Sequence, residues 1–458
     1  MNGVVQSPFV DVREIAPATV CETVRHTLTD GAPLTMNTHG RLGFTLPEYA
    51  RRIEAVHGNM RAAGLDVLLV RAPENITYLT GYETPGYYKY HCLVLAPGMD
   101  PVLILRRFEC LNVAEYSWLT RIVPVDDWQV PPLVTGQVLR DLGLHGGRIG
   151  IEKRGWFYTV EEHEQLTAGL PEAELVDCGR VVWDVRVHKS EEELGMIRRS
   201  AAIVDRAMTA GIALARPGIS DDQINAEVHR VIFEHGGEYM SLPPFILTGE
   251  RTCLPHQTAR STLVGERDLV FMEISATKFR YCAALMRTAF VGNPSRRERR
   301  VAVACIRAVE TAMATIRPGV TAEAVDVAAR AEVEKAGFGE YFRHRLGYSL
   351  GVNYPPDWGE GEILSLCRGE QRVLEPGMVF HLVPLCLVYR QFGIGFSETV
   401  RVTETGCERF SELPLEVPVC REPGTLVAPG ITLPASVSVS EAPRPPVPDA
   451  PTEELTTS

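Results

Sequence analysis

The chain lacks the features that would place it in a membrane, outside the cell or on nucleic acid. No stretch approaches the ~18 uninterrupted apolar residues of a membrane-spanning helix. Basic charge is in deficit: 46 Lys and Arg stand against 58 Asp and Glu, a formal net charge of -12. Nucleic acid and anionic lipid both call for a basic face, so neither is an expected partner. The opening "MNGVVQSPFVDVREIAPATV" has no basic segment leading into a long apolar run, so no secretory signal is read there. The eleven cysteines include no CxxC pair and follow no regular spacing. An odd, scattered set without an export signal predicts reduced thiols in a cytoplasmic protein, most of them small core residues.

What is present fits a globular chain of two domains. Its 458 residues are 45% hydrophobic and 23% charged, enough for each of two domains to bury its own core. Residues 1–45 read as an irregular arm. From "LPEYARRIEAVHGNMRAAGLDVLLVRA" a helix ends at Gly64 and leads into a buried strand, and "GQVLRDLGLHGGRIGIEKRG" repeats that order. Residues 46–186 therefore read as an α/β domain. The charged opening of "KSEEELGMIRRSAAIVDRAMTAGIALARPG" starts a long helix and marks a boundary near Val187. Residues 187–425 form the second domain. In it "ARPGISDDQINAEVHRVIFEHGG" (215–237) resembles "IRPGVTAEAVDVAARAEVEKAGF" (316–338). Each segment ends one helix at Pro-Gly and caps the next with Ser220 or Thr321. The repeat predicts a duplicated domain with pseudo-twofold halves and a ligand site between them. Residues 426–458 are rich in Pro, Ser and Thr without apolar periodicity and read as a disordered tail.

Within "LVFMEISATKFRYCAALMRT" (269–288), Glu273 is a single carboxylate among apolar neighbours on a predicted strand. A lone buried Glu is rare and usually paired, so it points to function before structure. Five segments in order then carry a family resemblance: "LPHQTARSTLVGERDLVFMEISA", "RYCAALMRTAFVG", "HRLGYSLGV", "LEPGMVFHLVPLCLV" and "GIGFSETVRVTETG". With "PENITYLTGYE" in the first domain, they resemble the M24 or pita-bread family across roughly residues 60–415. That family includes proline-specific aminopeptidases, prolidases, methionine aminopeptidases, creatinase and ectoine hydrolase. The resemblance implies a small creatinase-type α/β domain, a duplicated pita-bread catalytic domain and a homodimer.

Metallopeptidases of the family hold two metal ions with two Asp, one His and two Glu. At those positions this chain carries Glu273, Ala284, Tyr348, Val383 and Ser397, with Glu398 beside the last. Ala and Val have no donor atom, so two ions cannot be held, and no metal or cofactor is expected. The resemblance is instead to the metal-free members, above all the ectoine-hydrolase branch. It implies substrate-contacting roles for His256 and His344.

The chemistry can be read from the residues as well. Opening an amidine or amide without a metal needs a carboxylate that attacks or activates water, and Glu273 can do either. His256 can carry protons near neutral pH, and Tyr348 can donate to a developing oxyanion. Strand alternation from Val383 turns His381 inward, although a satisfied core histidine is an equal reading. The same alternation turns Ser397 and Thr399 inward and Glu398 outward unless a bulge re-aims it. Arg287 could grip a substrate carboxylate or pair with Glu273. Asp357, Trp358 and Glu360 form a Pro-rich loop able to recognise a cation, or a solvated loop. Tyr87 and Tyr88 in "GYYKYH" could reach a neighbouring subunit's substrate, or simply pack. The expected function is metal-independent hydrolysis of a non-peptide C–N bond in a small amidine, guanidine or cyclic amide, an ectoine-hydrolase-like ring opening that uses Glu273 and His256. A cyclase or dehydratase at the same site, an inactive binding protein and a metallopeptidase are the alternatives.

Overall fold

A computed structural model describes residues 9–15, 23–28, 33–38 and 41–420. Thr45 begins the first long helix, Leu46–Ala63, by accepting from the Glu48 amide, and Gly64 closes it at φ 64°. That left-handed conformation costs glycine nothing sterically. The next strand, Val67–Val70, is wholly buried because it lies inside a seven-stranded sheet. It pairs antiparallel with His91–Leu95 and parallel with Gly147–Ile151. Apolar side chains on both faces follow from helices covering both sides.

The arm departs from the irregular reading. Val10–Asp11 pairs with the Arg121–Val125 edge of the sheet, and Thr23–Thr27 pairs with Pro33–Asn37. The Asn37 amide donates to the Trp118 carbonyl at 2.7 Å. These pairings are long-range, so local composition carried no sign of them. The tail reading for 426–458 lies outside the described residues.

The repeat folds as two helix pairs, Glu191–Leu214 with Asp221–Glu234 and Arg296–Thr315 with Ala322–Lys335. Gly218 and Gly319 both turn at φ 84°. Ser220 and Thr321 then accept the third-residue amide, a cap worth about 1 kcal/mol each. Each cap residue also bridges an extended segment, Ser220 to Leu263 and Thr321 to Val373, so the two halves correspond beyond their helices.

Each half contributes a sheet. The first runs in the order Phe245–Thr248, Leu269–Lys278, Tyr281–Val291, Val419–Cys420. The second runs Ser365–Leu366, Gly347–Ser349, Val379–Leu382, Glu398–Val402, Cys407–Arg409. They are joined where the Ser397 amide donates to the Met286 carbonyl at 3.1 Å and Thr399 Oγ1 donates to the Ala284 carbonyl at 2.8 Å.

The 353–360 loop at the mouth of the junction is braced by the first domain. Tyr354 Oη and Thr77 Oγ1 are 2.7 Å apart, and Arg186 reaches both Asn75 Oδ1 and Glu360 Oε1 at 2.6 Å. Among the described residues no helix is long and apolar enough to cross a membrane. The described cysteines are all free.

Candidate active site

A cavity of about 640 Å³ opens between the two halves. Phe245, His256 and Glu273 line it from the first half, and His344, Tyr348 and Trp358 from the second. Strand register explains the first set. Phe245 is the antiparallel partner of Glu273, and Met286 is its partner on the other side, so all three share one face. Phe271 and Val383 add apolar wall.

The Glu273 carboxyl forms no hydrogen bond or ion pair among the described residues. Burial raises its pKa from 4.5 to about 8, with no other cause of comparable size. A carboxyl in this state is neutral at pH 7 until a cation reaches it.

His256 follows a short 3-10 turn, Gly249–Cys253, and holds φ 53°. A non-glycine residue pays for that conformation, and such strain tends to be kept where a side chain must be aimed. Its ring lies 5.6 Å from the Phe245 ring, whose other neighbour at 5.6 Å is Trp358. His344 lies at the rim, with Nδ1 2.8 Å from the Arg345 carbonyl. Partial burial lowers its pKa against that carbonyl's raising effect, and the Arg345 and His256 charges lower it further.

Tyr348 is buried at the cavity wall. The Trp358 indole donates to its oxygen at 2.8 Å, and His381 Nδ1 lies 3.1 Å away. Burial first, then the nearby Glu273 charge, hold the phenol well above its usual pKa. Tyr348, Trp358, Glu273, His256 and His344 thus share one cavity.

Four predicted contacts are placed elsewhere. His381 does not line the cavity. It is wholly buried behind Tyr348, with Nε2 2.7 Å from Ser397 Oγ, and burial lowers its pKa to about 3. Arg287 does not pair with Glu273, because register puts Met286 opposite Glu273 and turns Arg287 to the far face. There it donates to Glu398 Oε1 at 2.5 Å, and both side chains are fully buried. Glu398 therefore serves a structural ion pair. Burial raises its pKa, against the lowering effect of Arg287. Glu360 faces a second cavity, where Arg186 at 2.6 Å and Lys189 at 2.8 Å already use its oxygens. Burial alone would raise its pKa, but those two cations leave it below the usual value.

Phe245 and Arg345 are among the wall residues that the sequence does not single out. Phe245 is reached only through strand pairing, which local sequence does not specify. Arg345 lines the cavity with its guanidinium 4.8 Å from the Tyr348 ring centroid and its Nε without a partner. Its position next to His344 in "HRLGYS" was the available signal.

The family's metal pair does not fit these residues. Ala284 and Val383 offer no donor. The Ser397 hydroxyl is engaged with His381 and with the Met286 amide at 2.6 Å. Among the described residues no three His, Cys, Asp or Glu side chains cluster as a metal site.

A mixed-sheet domain followed by a duplicated helix-and-sheet domain with a cavity between its halves defines the creatinase/prolidase class of architecture. The chain belongs to the metallopeptidase family M24: residues 195–404 match that family, and residues 52–188 match the Creatinase/Prolidase N-terminal domain. It is an enzyme of the M24 hydrolase family. An ectoine hydrolase of Halomonas elongata is 29% identical over 394 residues, covering 82% of this chain and 98% of the relative. An uncharacterized hydrolase/peptidase of Sinorhizobium fredii is 32% identical over 391 residues, 82% and 99% of the two chains. Among solved structures, a prolidase from Thermococcus sibiricus superposes with a TM-score of 0.74 at 24% identity over 81% of this chain and 99% of its own. An X-Pro aminopeptidase from Thermotoga maritima gives 0.71 at 23%, over 80% and 99%. At these identities the two structures speak to the fold alone.

Proposed function

We propose that the protein opens a C–N bond in a small cationic cyclic amidine, as in ectoine, without a catalytic metal. The observation that carries this reading is Glu273: a lone carboxyl in the cavity, raised to about 8 by burial, with no cation beside it. In a peptide the reacting amide is itself neutral, whereas in an amidinium the reacting carbon is part of the cation. Pairing restores the carboxylate and sets its oxygen against the electron-poor carbon.

Two routes then use the same residues. Glu273 either attacks the amidinium carbon or takes a proton from the water that does. A pKa near working pH suits a base. In both routes water's oxygen ends on the carbon, the ring C–N bond breaks, and the departing nitrogen takes a proton. The products are an amide and an amine within one molecule. His256, at the cavity wall, is the candidate proton carrier. Tyr348 faces the reacting carbon's heteroatoms as a hydrogen-bond donor. Phe245 and Trp358 flank the ligand with apolar faces, a setting that favours a delocalised cation. Cytoplasmic location and a homodimeric assembly belong to the same proposal.

The test is turnover of ectoine by purified protein in EDTA, followed by NMR for the ring-opened amide, with an Xaa-Pro dipeptide assayed in parallel. Ring opening that survives chelation is expected. Dipeptide cleavage that depends on added Mn, Co or Zn, with ectoine untouched, would overturn the reading.

A further inference from the structure

We propose that His381 and Ser397 are positioning residues that fix the Tyr348 hydroxyl hydrogen toward the cavity, where it donates to the substrate heteroatom that gains electron density when the carbon is attacked. The proposal rests on the reading of Glu273 as the reacting carboxylate.

The direction follows from counting hydrogens along a buried chain. The indole of Trp358 can only donate, and it donates to the Tyr348 oxygen at 2.8 Å. The Met286 amide can only donate, and it donates to Ser397 Oγ at 2.6 Å. Between these fixed ends lie two contacts whose polarity is open: Tyr348 Oη to His381 Nδ1 at 3.1 Å, and His381 Nε2 to Ser397 Oγ at 2.7 Å. The His381 ring is fully buried, and no carboxylate touches it among the described residues. It is therefore neutral and carries one N–H.

Only two arrangements exist. In one, the phenol donates to Nδ1 and the ring donates from Nε2 to Ser397. The serine oxygen then receives two donors, and its own hydrogen has no acceptor among the described residues. That hydrogen would be stranded in a fully buried position. In the other, Ser397 donates to Nε2 and Nδ1–H donates to the phenol. The Tyr348 oxygen now receives two hydrogens, and its own must point away from both; Tyr348 is a wall residue of the cavity, the proposed destination of that hydrogen. Water or ligand there can accept it. The second arrangement strands nothing, so it is the one the chain holds.

The consequence for chemistry is direct. A phenol oxygen that already accepts two hydrogen bonds cannot turn its proton back toward the protein. It stays aimed at the ligand, so reaction needs no reorganisation to use it. Tyr348 stands where the family's metal-binding histidine would stand, and Ser397 where a metal-binding glutamate would. In this chain the two positions, with His381 between them, would supply an oriented hydrogen in place of a Lewis acid.

The test combines a spectrum and a substitution series. In protein with 15N-labelled histidine, the His381 ring should show the tautomer protonated at Nδ1, assigned by loss of its signals in His381→Asn. In that variant the side-chain amide can still donate to Tyr348, so kcat on the amidine should stay within about ten-fold of wild type. His381→Leu removes the donor and should lower kcat about 10²-fold with KM little changed. Tyr348→Phe should lower it about as much or more, in line with the loss of one oxyanion donor. A ring protonated at Nε2 in the folded protein overturns the proposal, as does equal activity of His381→Asn and His381→Leu. If Glu273→Gln remains fully active while the Nδ1 tautomer is found, the reading of Glu273 fails and the hydrogen-bond chain stands. If His381→Asn does not fold, His381→Leu supplies the assignment; if neither folds, the ring whose nitrogen signals move in Tyr348→Phe is taken as His381, and its tautomer in the wild type decides the matter.

Discussion

Replacing Glu273 by Gln should stabilise the protein while it abolishes turnover. The folded carboxyl has a pKa of about 8 against 4.5 for the unfolded one. Below 4.5 both states hold the proton, and the group contributes nothing to a pH slope. Between 4.5 and about 8 the folded state binds more protons than the unfolded state, so stability falls as pH rises. Above 8 the loss is complete. At about 1.4 kcal/mol per pH unit, the cost of keeping this carboxyl buried is roughly 3 kcal/mol at pH 7. Cavity water reaches the side chain and reduces that figure, so a gain of about 1–3 kcal/mol is expected for Glu273→Gln at pH 7–8. For a chain of this size, that corresponds to a rise of several degrees in Tm. At pH 5 the two proteins should nearly coincide. On the same preparations kcat should fall by roughly 10³-fold or more. A variant that is less stable than wild type at pH 8, or a difference that does not change with pH, would mean the carboxylate is charged and satisfied in the folded state. A folded variant with near-normal kcat would sink the mechanism outright.

Three further outcomes follow from the same structure. Binding of a cationic amidine should release close to one proton at pH 7, because the ligand replaces the proton on Glu273; calorimetry in buffers of different ionisation enthalpy measures this, and zero release refutes it. Arg287→Met removes the close cation and leaves Glu398 only the half-exposed Arg409 at 3.7 Å; it should cost about 2–4 kcal/mol, read by denaturant unfolding, while the folded fraction keeps its specific activity. A loss of activity without loss of stability would return Arg287 to the substrate. The protein should be a homodimer, because Tyr88, Phe108 and Leu111 expose 65%, 78% and 66% of their surface in neighbouring segments of the first domain. A fully active species of about 50.6 kDa by light scattering would refute that.

How far the sequence could be read depends on the range of the interaction. Helix pairs, caps and the order of motifs are local signals. They located both halves, the cavity between them, and Glu273, His256, His344, Tyr348 and Trp358 around it. Strand parity is also local, and it turned Ser397 and Thr399 inward, where their hydroxyls meet His381 and the Ala284 backbone. Parity cannot say which strand lies opposite. Arg287 was therefore left between Glu273 and a ligand, when its partner was Glu398 from a strand more than a hundred residues later. For Glu360 the sequence allows a cation receptor or a solvated loop; the cations it meets are Arg186 and Lys189 of its own chain.

The departures from the family's metal site have one physical thread. Two metal ions would neutralise a buried carboxylate such as Glu273. With Ala284 and Val383 in place of donors, the residues offer no hold for the ions that would supply that charge, yet the carboxyl is present. A buried carboxyl without a counter-charge can take up a proton, which raises its pKa, or wait for a cation to arrive. The first is what burial does to Glu273 in the free protein. The second makes the ligand's own charge the missing half of the ion pair. A dipeptide could bring only its terminal ammonium, which leaves the scissile carbonyl unactivated. An amidinium brings both the charge and an activated carbon. If the proposed function holds, the missing metal donors and a preference for cationic substrates are a single feature, and the hydrogen proposed to be aimed from Tyr348 is the part of the Lewis acid's work that a side chain can take over.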